Sequence, residues 1–427
     1  MKLTNYLSTT LLGLALAGTA AHAGEDPIIE PLPAVEPAFT DYFTPKIDLR
    51  ARYEYADINT AAWPGGDSDA FTLRGRLGLL FDNSYGLTAY AEYEGTVTAD
   101  RTSYNAAGVH GELPPKAPIA DPESHELNQL WIAYKKSGAS VKVGRQAFVL
   151  DGQRYVGGVA WRQNMQTFDG GTATYSPIDD LTLTYGYFYQ VNRIFGSEAP
   201  FGGGNTQAFE DANIQLFNAA YKTPLGKLVG YAYFMDLGED SVPARGQSSN
   251  SYGISLAGSY KIDDDFSLPY YGEIAYQTEA SNSTLDYETL YYHVTGGVAY
   301  KGYSLGVGYE SLGSDNGVGF NFPLGTNHKF NGFADRFLNT PGTGLEDFYV
   351  YAGAKLPFGI NFKTAYHYFT SETGGIDYGQ EIDFVLSKKI FDVVVLAKYA
   401  YYDADTAANN TVPGDTTRFS IELNYKF

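Results

Sequence analysis

The sequence contains no cysteine among its 427 residues. No disulfide can therefore form, and no thiolate can bind a metal, which excludes the disulfide-stapled extracellular modules. Basic residues are also scarce, because 29 Lys and Arg stand against 49 Asp and Glu and give a formal net charge of −20. This acidic balance argues against nucleic acid, or an anionic membrane surface, as the partner.

The chain after residue 23 lacks an apolar run of about 20 residues, which excludes transmembrane helices. A shorter run near the start, LLGLALA (11–17), follows a Lys and precedes the small-x-small triplet AHA (21–23). This pattern predicts a cleaved secretory signal peptide over 1–23, with the mature chain starting at Gly24. The run is too short to serve as a transmembrane anchor.

Tyrosine and glycine are abundant, with 37 and 48 residues, and they occur in segments that alternate between polar and apolar side chains. In KIDLRARYEYA (46–56) the apolar and aromatic side chains share one face of a strand and the charged ones share the other. The alternation returns in LTLTYGYFYQV (181–191), FSLPYYGEIAY (266–276) and LYYHVTGGVAY (290–300). Segments of about ten residues are long enough to cross a membrane at a tilt, whereas most soluble strands are shorter.

The connections between these segments alternate between short turns and long loops. The predicted short turns are at 82–84, 136–139, 177–179, 223–226, 262–265, 301–302, 357–359 and 388–390, and the predicted long loops are near 57–69, 98–123, 192–211, 237–249, 312–344 and 403–416. This pattern predicts an all-β fold, an up-and-down antiparallel β-barrel of about 18 strands in a bacterial outer membrane, with periplasmic termini and turns. The alternative, a soluble sandwich with the apolar faces in its core, explains the connection lengths less well.

The predicted barrel covers residues 45–427 and is wide enough to enclose a water-filled lumen. Residues 24–44 are rich in Pro and Glu, do not alternate, and are expected to form a periplasmic tail. The chain ends in RFSIELNYKF, which resembles the signal that the barrel-assembly machinery recognises. Its residues on the apolar face are Phe419, Ile421, Leu423, Tyr425 and Phe427. Outer-membrane lipid and lipopolysaccharide are the expected surroundings, and both a monomer and a homotrimer remain open.

The sequence offers little support for catalysis. Five histidines follow the predicted signal peptide, and none has a metal-ligand spacing; they are His110, His125, His293, His328 and His367. The acidic run Asp263-Asp264-Asp265 lies in a predicted turn and lacks the spacing of a calcium loop. We therefore expect neither an enzyme nor a metal or cofactor.

The charges on the predicted lumen face suggest where selectivity arises. Arg50 and Arg52 on the first strand, and Arg74 and Arg76 on the second, lie on one wall, and Glu92 and Glu94 follow on the third strand. One interpretation is mutual neutralisation between neighbouring strands. The other, which we favour, is an arginine ladder that guides anions, because a planar guanidinium suits carboxylates and sugar hydroxyls.

The stretch GRQAFVLDGQRYVGGVAWRQNMQTFDG (144–170) carries three Arg, two Asp and four Gln between apolar residues. Gly157-Gly158 predicts the extracellular tip of a long hairpin, with Val156 paired to Val159. Arg154 and Arg162 would then lie near the outer rim. An Arg facing lipid at the membrane midplane costs roughly 2–4 kcal/mol, so Arg145 is expected to point into the lumen towards Asp169.

The same stretch resembles the alginate-export family of outer-membrane barrels, through VGRQ (143–146), Asp151, Gln153-Arg154, WRQ (161–163) and FDG (168–170). The resemblance implies a monomeric 18-stranded barrel with an arginine-lined constriction, and one member exports the acidic polysaccharide alginate. The residues that it suggests for the constriction or its support are Arg145, Asp151, Arg154, Arg162 and Asp169.

The function that we predict is a channel for passive diffusion of small hydrophilic solutes, anionic or sugar acids. One alternative is an export channel for an anionic polysaccharide such as alginate. Another is a structural or adhesive barrel without an open pore, closed by inward folding of loop 312–344.

Overall fold

The computed structural model describes residues 42–109, 116–196, 199, 207–238, 245–406 and 411–427. The predicted signal peptide, almost all of the predicted tail, and His110 lie outside these residues. The strands of the described part are β1 (Phe43–Ile58), β2 (Ser68–Asp82), β3 (Leu87–Thr98), β4 (Ser124–Lys136), β5 (Ala139–Gln146), β6 (Thr167–Ile178), β7 (Leu181–Asn192), β8 (Ala208–Phe209), β9 (Asn213–Thr223), β10 (Gly226–Asp236), β11 (Ser249–Lys261), β12 (Phe266–Glu279), β13 (Glu288–Tyr300), β14 (Tyr303–Leu312), β15 (Ser314–Asp315), β16 (Val318–Gly319), β17 (Leu345–Leu356), β18 (Ile360–Thr370), β19 (Asp377–Ile390), β20 (Val393–Ala404) and β21 (Thr416–Lys426).

All of these strands except the two-residue pieces β8, β15 and β16 form one closed antiparallel barrel, so that 18 strands of the described chain make up its wall. The barrel closes where β1 pairs with β21, in a register that runs from Asp48 opposite Lys426 to Ile58 opposite Thr416. The predicted fold class and strand number are therefore confirmed. Two single-turn 3₁₀ helices, Asn327–Lys329 and Pro357–Gly359, lie in the connections.

Short turns lie at one end of the barrel, together with the start of β1 and the end of β21. In the turn between β13 and β14, Lys301 and Gly302 both have positive φ (46° and 87°), the geometry that matches the twist of a two-residue hairpin. The predicted turns are confirmed, apart from the last. Residues 388–390 still belong to β19, and Phe391 and Asp392 form the turn.

The wall is apolar on its outer face and polar on its inner face. Outward side chains such as Leu77, Leu130 and Val294 are more than half exposed, whereas the inward Arg52 and Glu94 are almost completely buried. This is the inverse of a soluble protein, and an exposed apolar surface of this extent requires lipid around it. The alternative of a soluble sandwich is therefore excluded.

None of the described helices has the length and apolar character needed to cross a membrane.

Two long connections fold into the barrel: the first inner segment (147–166) and the second inner segment (313–344). They meet in a parallel bridge between Val156 and Leu324, where Gly157 N donates to Leu324 O (2.8 Å). Both bridge residues are fully buried. The inner segments thus pair with each other instead of projecting from the barrel.

The predicted hairpin around Gly157-Gly158 is therefore wrong. No strand is assigned between Gln146 and Thr167, and Val156 pairs with Leu324, not with Val159. Gly157 lets the two inner segments pack closely, because a side chain at this position would overlap Thr326 of the second inner segment. A glycine pair is compatible both with such a close contact and with a tight hairpin turn, and the local sequence does not distinguish the two.

Candidate solute pathway and constriction

The structure places the four predicted arginines on the lumen face of β1 and β2, with Arg50 opposite Arg74 in the register. We call Arg50, Arg52, Arg74 and Arg76 the basic wall. Arg50 donates to the backbone carbonyls of residues 160, 161 and 162 at 3.0–3.1 Å. Arg52 donates to the carbonyl of residue 161 at 2.7 Å. Arg76 also donates to the carbonyl of residue 163 at 3.4 Å, so three of the four basic-wall arginines bind the backbone of the first inner segment.

A buried ion cluster lies beside these contacts, with Glu54 of β1 at its centre. Arg52, Arg162 and Arg418 approach the two carboxylate oxygens of Glu54 at 2.5, 3.0 and 3.1 Å. Asp121 lies 3.5 Å from Arg162 and 3.6 Å from Arg52. Arg162, predicted near the outer rim, reaches this buried cluster because its segment folds inwards; Glu54 and Arg418 of the cluster lie close to the loop-side ends of β1 and β21.

Arg74 and Arg76 of the basic wall also pair with acids on neighbouring strands. Arg74 pairs with Asp48, and Arg76 pairs with Glu94 of β3. Glu92, which lies next to this pair on β3, is held by neutral donors. These are Asn128 Nδ2 (2.7 Å), Gln129 Nε2 (2.9 Å) and the hydroxyl of Tyr90 (2.5 Å). Mutual neutralisation thus describes Arg74 and Arg76, whose side chains are almost completely buried.

A second wall, which strand alternation alone did not single out, holds the second inner segment. The acidic wall consists of Glu310, Asp347, Glu381 and Asp383, on β14, β17 and β19. The N–H groups of residues 334 and 333 donate to Glu381 Oε1 (2.6 Å) and Asp383 Oδ2 (3.2 Å). The amide of Asn331 donates to Glu310 (2.7 Å) and Asp347 (3.1 Å). The alternation marks these acids as inward, but gives no sign of their loop partners.

Arg154 connects the first inner segment to the acidic wall. Its guanidinium lies 2.9 Å from Glu310 and donates to Asn331 Oδ1 at 2.8 Å. The rings of Phe322 and Phe330 lie 4.1 and 4.5 Å from its central carbon, in cation–π contact. Arg154, also predicted near the outer rim, is buried inside the barrel beside Glu310, close to the loop-side end of β14.

The predicted orientation of Arg145 towards Asp169 is confirmed. The two side chains form a bidentate pair at 2.8 and 2.7 Å, and Asn192 also donates to Asp169 at 3.0 Å. This pair lies where the first inner segment leaves the wall. Further along that segment, Asp151 pairs with Lys227 at 2.7 Å.

His328 links the two inner segments. Its ring stacks on Trp161 at 3.4 Å, and its Nδ1 lies 2.7 Å from Asp335. Lys398 Nζ lies 2.9 Å from Nε2. Burial, together with Lys398, lowers the pKa of His328 to about 4. At neutral pH the uncharged ring therefore donates to Asp335 through Nδ1 and accepts from Lys398 through Nε2.

The inner segments separate two cavities. The upper cavity, of about 310 Å³, opens among the long connections and is lined by four arginines: Arg154, Arg162, Arg193 and Arg418. The lower cavity, of about 200 Å³, lies between the inner segments and β10–β13. In the described part of the chain, no group of three or more His, Asp or Glu side chains is arranged to hold a metal.

The apolar side chains of the C-terminal strand face outwards, as predicted. Phe419, Ile421 and Leu423 are each between a third and a half exposed on β21. Their orientation leaves them accessible at the closing seam between β21 and β1.

Comparison with known proteins supports both the resemblance and the fold. Residues 42–185 match the family model described as alginate export, and this match includes the stretch 143–170 that carries the resemblance. A search of curated proteins finds no match.

Three solved structures illustrate the likeness of the fold. OccAB4 of Acinetobacter baumannii has a TM-score of 0.66 and 16% identity, over 90% of this chain and 98% of that chain. OccK9 (OpdG) of Pseudomonas aeruginosa has a TM-score of 0.67 and 15% identity, over 92% and 100%. The outer membrane protein OpdK of Pseudomonas aeruginosa has a TM-score of 0.64 and 13% identity, over 90% and 98%. The fold is that of a bacterial outer-membrane β-barrel.

Proposed function

We propose that this chain is an outer-membrane channel for passive diffusion of small hydrophilic solutes, with a preference for anions and sugar acids. The observation that carries the proposal is the upper cavity, where four arginines converge on the constriction made by the inner segments. A constriction lined by guanidinium groups attracts anions and repels cations. The forked donor geometry of Arg also matches carboxylates better than the point charge of Lys does.

The first test is conductance in a planar lipid bilayer. We expect purified, folded protein to give stepwise ion currents in KCl. Folding is checked independently, because a folded barrel and an unfolded chain migrate differently on gels. A folded barrel that gives no current steps would refute the proposal.

A measurement of ion selectivity tests whether the basic wall contributes to the preference for anions. Replacing Arg74 and Arg76 by Ala removes two positive charges, leaves Glu94 without its ion partner and leaves Asp48 paired with Lys426 alone. The reversal potential in a salt gradient should therefore shift towards cations. Replacing Lys301 and Lys355 by Ala at the turn end provides the matched control for net charge. An unchanged reversal potential in the Arg variant would show that Arg74 and Arg76 do not contribute to the ion selectivity of the channel.

Export of an anionic polysaccharide is a second candidate, favoured by the family match over residues 42–185. A polysaccharide must thread through the constriction, so uronate oligomers of increasing length should block the current for increasing times. Block that does not depend on oligomer length would favour the diffusion channel alone.

A closed structural barrel is a third candidate, because the second inner segment folds inwards as that alternative requires. Replacing residues 318–340 by a short Gly-Ser linker should raise single-channel conductance several-fold if the segment narrows an open channel. Conductance that rises from zero only in the deletion variant would support the plug. Unchanged conductance would argue against any narrowing role.

A further inference from the structure

The lower cavity is built from both inner segments and from four neighbouring wall strands. The first inner segment contributes Asp151 and Arg154, the second contributes Lys329, and β12 contributes Tyr271 and Glu273. Its volume of about 200 Å³ accommodates only a small solute. This cavity takes no part in the arginine constriction described above, except that Arg154 borders both spaces.

The charges that line the lower cavity do not all have partners. Arg154 pairs with Glu310, and Asp151 pairs with Lys227. No ion pair joins Glu273 or Lys329 to another described side chain within 4.0 Å. One acid and one base therefore remain on the lining without an ionic partner among the described residues.

Glu273 is oriented as an acceptor. The hydroxyls of Tyr231 and Tyr271 each donate to one of its oxygens at 2.5 Å. A carboxylate oxygen can accept more than one hydrogen bond, so the group retains capacity for a further donor. The tyrosine rings that surround it also favour a cation, because the face of an aromatic ring is electron-rich.

Lys329 is presented from the second inner segment. Its ammonium donates to the backbone carbonyl of Gly152 at 2.8 Å and lies 5.9 Å from the centre of the Phe330 ring. These neutral contacts leave two of its three N–H donors for a ligand. A carboxylate is the group that would neutralise it.

We propose that the lower cavity binds a small zwitterion, whose ammonium group contacts Glu273 and whose carboxylate contacts Lys329. A purely anionic solute would face Glu273 unfavourably, and a purely cationic solute would face Lys329 unfavourably. A ligand that carries both charges satisfies both residues. The site rests on the proposed function only in that a channel gives solutes access to the lumen.

The experiment is calorimetric titration of the folded barrel in detergent at low ionic strength. The probes are glycine, β-alanine and γ-aminobutyrate, in which the distance between the charges increases. Acetate and methylammonium carry one charge each. At least one zwitterion should bind about tenfold more tightly than both single-charge probes, as expected when one ionic contact is worth about 1.4 kcal/mol.

Two variants test which residue contacts each charged group of the zwitterion. Glu273→Gln should weaken the binding of the zwitterion about tenfold and leave the binding of acetate unchanged or stronger. Lys329→Gln should weaken the binding of the zwitterion to the same extent and leave the binding of methylammonium unchanged or stronger. Glu288→Gln and Lys355→Gln, which lie outside the cavity, serve as matched controls and should bind as the unmodified protein does. If Glu273→Gln does not fold, Lys329→Gln in the loop still tests the site.

Equal affinity for all five probes, or zwitterion binding that neither variant weakens, would overturn the proposal. Calorimetry needs no conducting path, whereas the proposed function depends on conductance in the bilayer. A barrel that conducts but binds no zwitterion would refute the zwitterion site alone. A barrel that binds the zwitterion without conducting would refute the proposed channel alone.

Discussion

Arg50 and Arg52 of the basic wall donate to backbone carbonyls of the first inner segment, whereas Glu381 and Asp383 of the acidic wall accept from backbone N–H groups of the second. Each wall thus binds the backbone group of complementary polarity. The two walls differ in how their own charges are balanced. Arg52 of the basic wall belongs to a cluster in which three guanidinium groups share Glu54, whereas the acidic wall contacts its segment mainly through neutral N–H and amide donors.

This difference predicts unequal sensitivity to the loss of charge. Removing one partner of a buried ion pair leaves an uncompensated charge and is strongly destabilising. Replacing a carboxylate by an amide of the same shape keeps the acceptor oxygen, so a contact to a neutral N–H group largely survives. Substitutions that neutralise without changing size therefore separate the two walls.

The largest effect is expected for Glu54→Gln. Arg52, Arg162 and Arg418 would lose the carboxylate that they share, and we expect the free energy of unfolding to fall by about 3–5 kcal/mol. Denaturant unfolding in lipid vesicles measures this change. Glu346→Gln, which makes the same chemical change at the outer surface, is the control. A loss below about 1 kcal/mol would show that the cluster does not depend on this charge.

An intermediate effect is expected at His328, where the inner segments meet between the walls. Its folded pKa of about 4 lies below the ordinary 6.5, so the unfolded chain binds more protons between these values. The free energy of unfolding should therefore decrease as pH falls from about 6.5 to 4, by at most about 3 kcal/mol.

His328→Gln tests this pH dependence, because the amide keeps a donor for Asp335 and an acceptor for Lys398 but does not titrate. Unfolding measured between pH 7.5 and 4 should show a flatter profile for this variant. His125→Gln, at an exposed position of β4, should keep the profile of the unmodified protein. Identical profiles for all three proteins would exclude His328 as the source.

Features that depend on neighbouring strands could be predicted from the sequence. Strict alternation assigned Arg50, Arg74 and Glu94 to the inner face, because the side-chain period of a strand is two. The pairing of Arg145 with Asp169 followed as well, since the two residues lie directly opposite each other on adjacent strands. Both inferences require only local pattern and the order of strands along the chain.

Features that depend on distant segments could not be predicted in this way. The Gly157-Gly158 pair is typical of a hairpin, and its actual contact with Thr326 joins residues far apart in the chain. The role of the acidic wall in holding the second inner segment could not be predicted for a related reason. Alternation shows that Glu381 points inwards, but the N–H group that it accepts belongs to a loop without periodicity.

The smallest effect is expected for Asp383→Asn, which removes one of the four charges of the acidic wall while keeping an oxygen for the N–H of Phe333. We expect the free energy of unfolding to change by less than about 1 kcal/mol, because that hydrogen bond survives and the contact of Asp383 with His367, at 3.7 Å, is long. Asp383→Leu, which removes the acceptor and leaves that N–H buried without it, should cost about 1–3 kcal/mol. Denaturant unfolding of both variants beside Glu54→Gln makes the comparison direct. If Asp383→Asn proved as costly as Glu54→Gln, both walls would depend on buried charge, and the contrast between ion clustering and backbone acceptance would not hold.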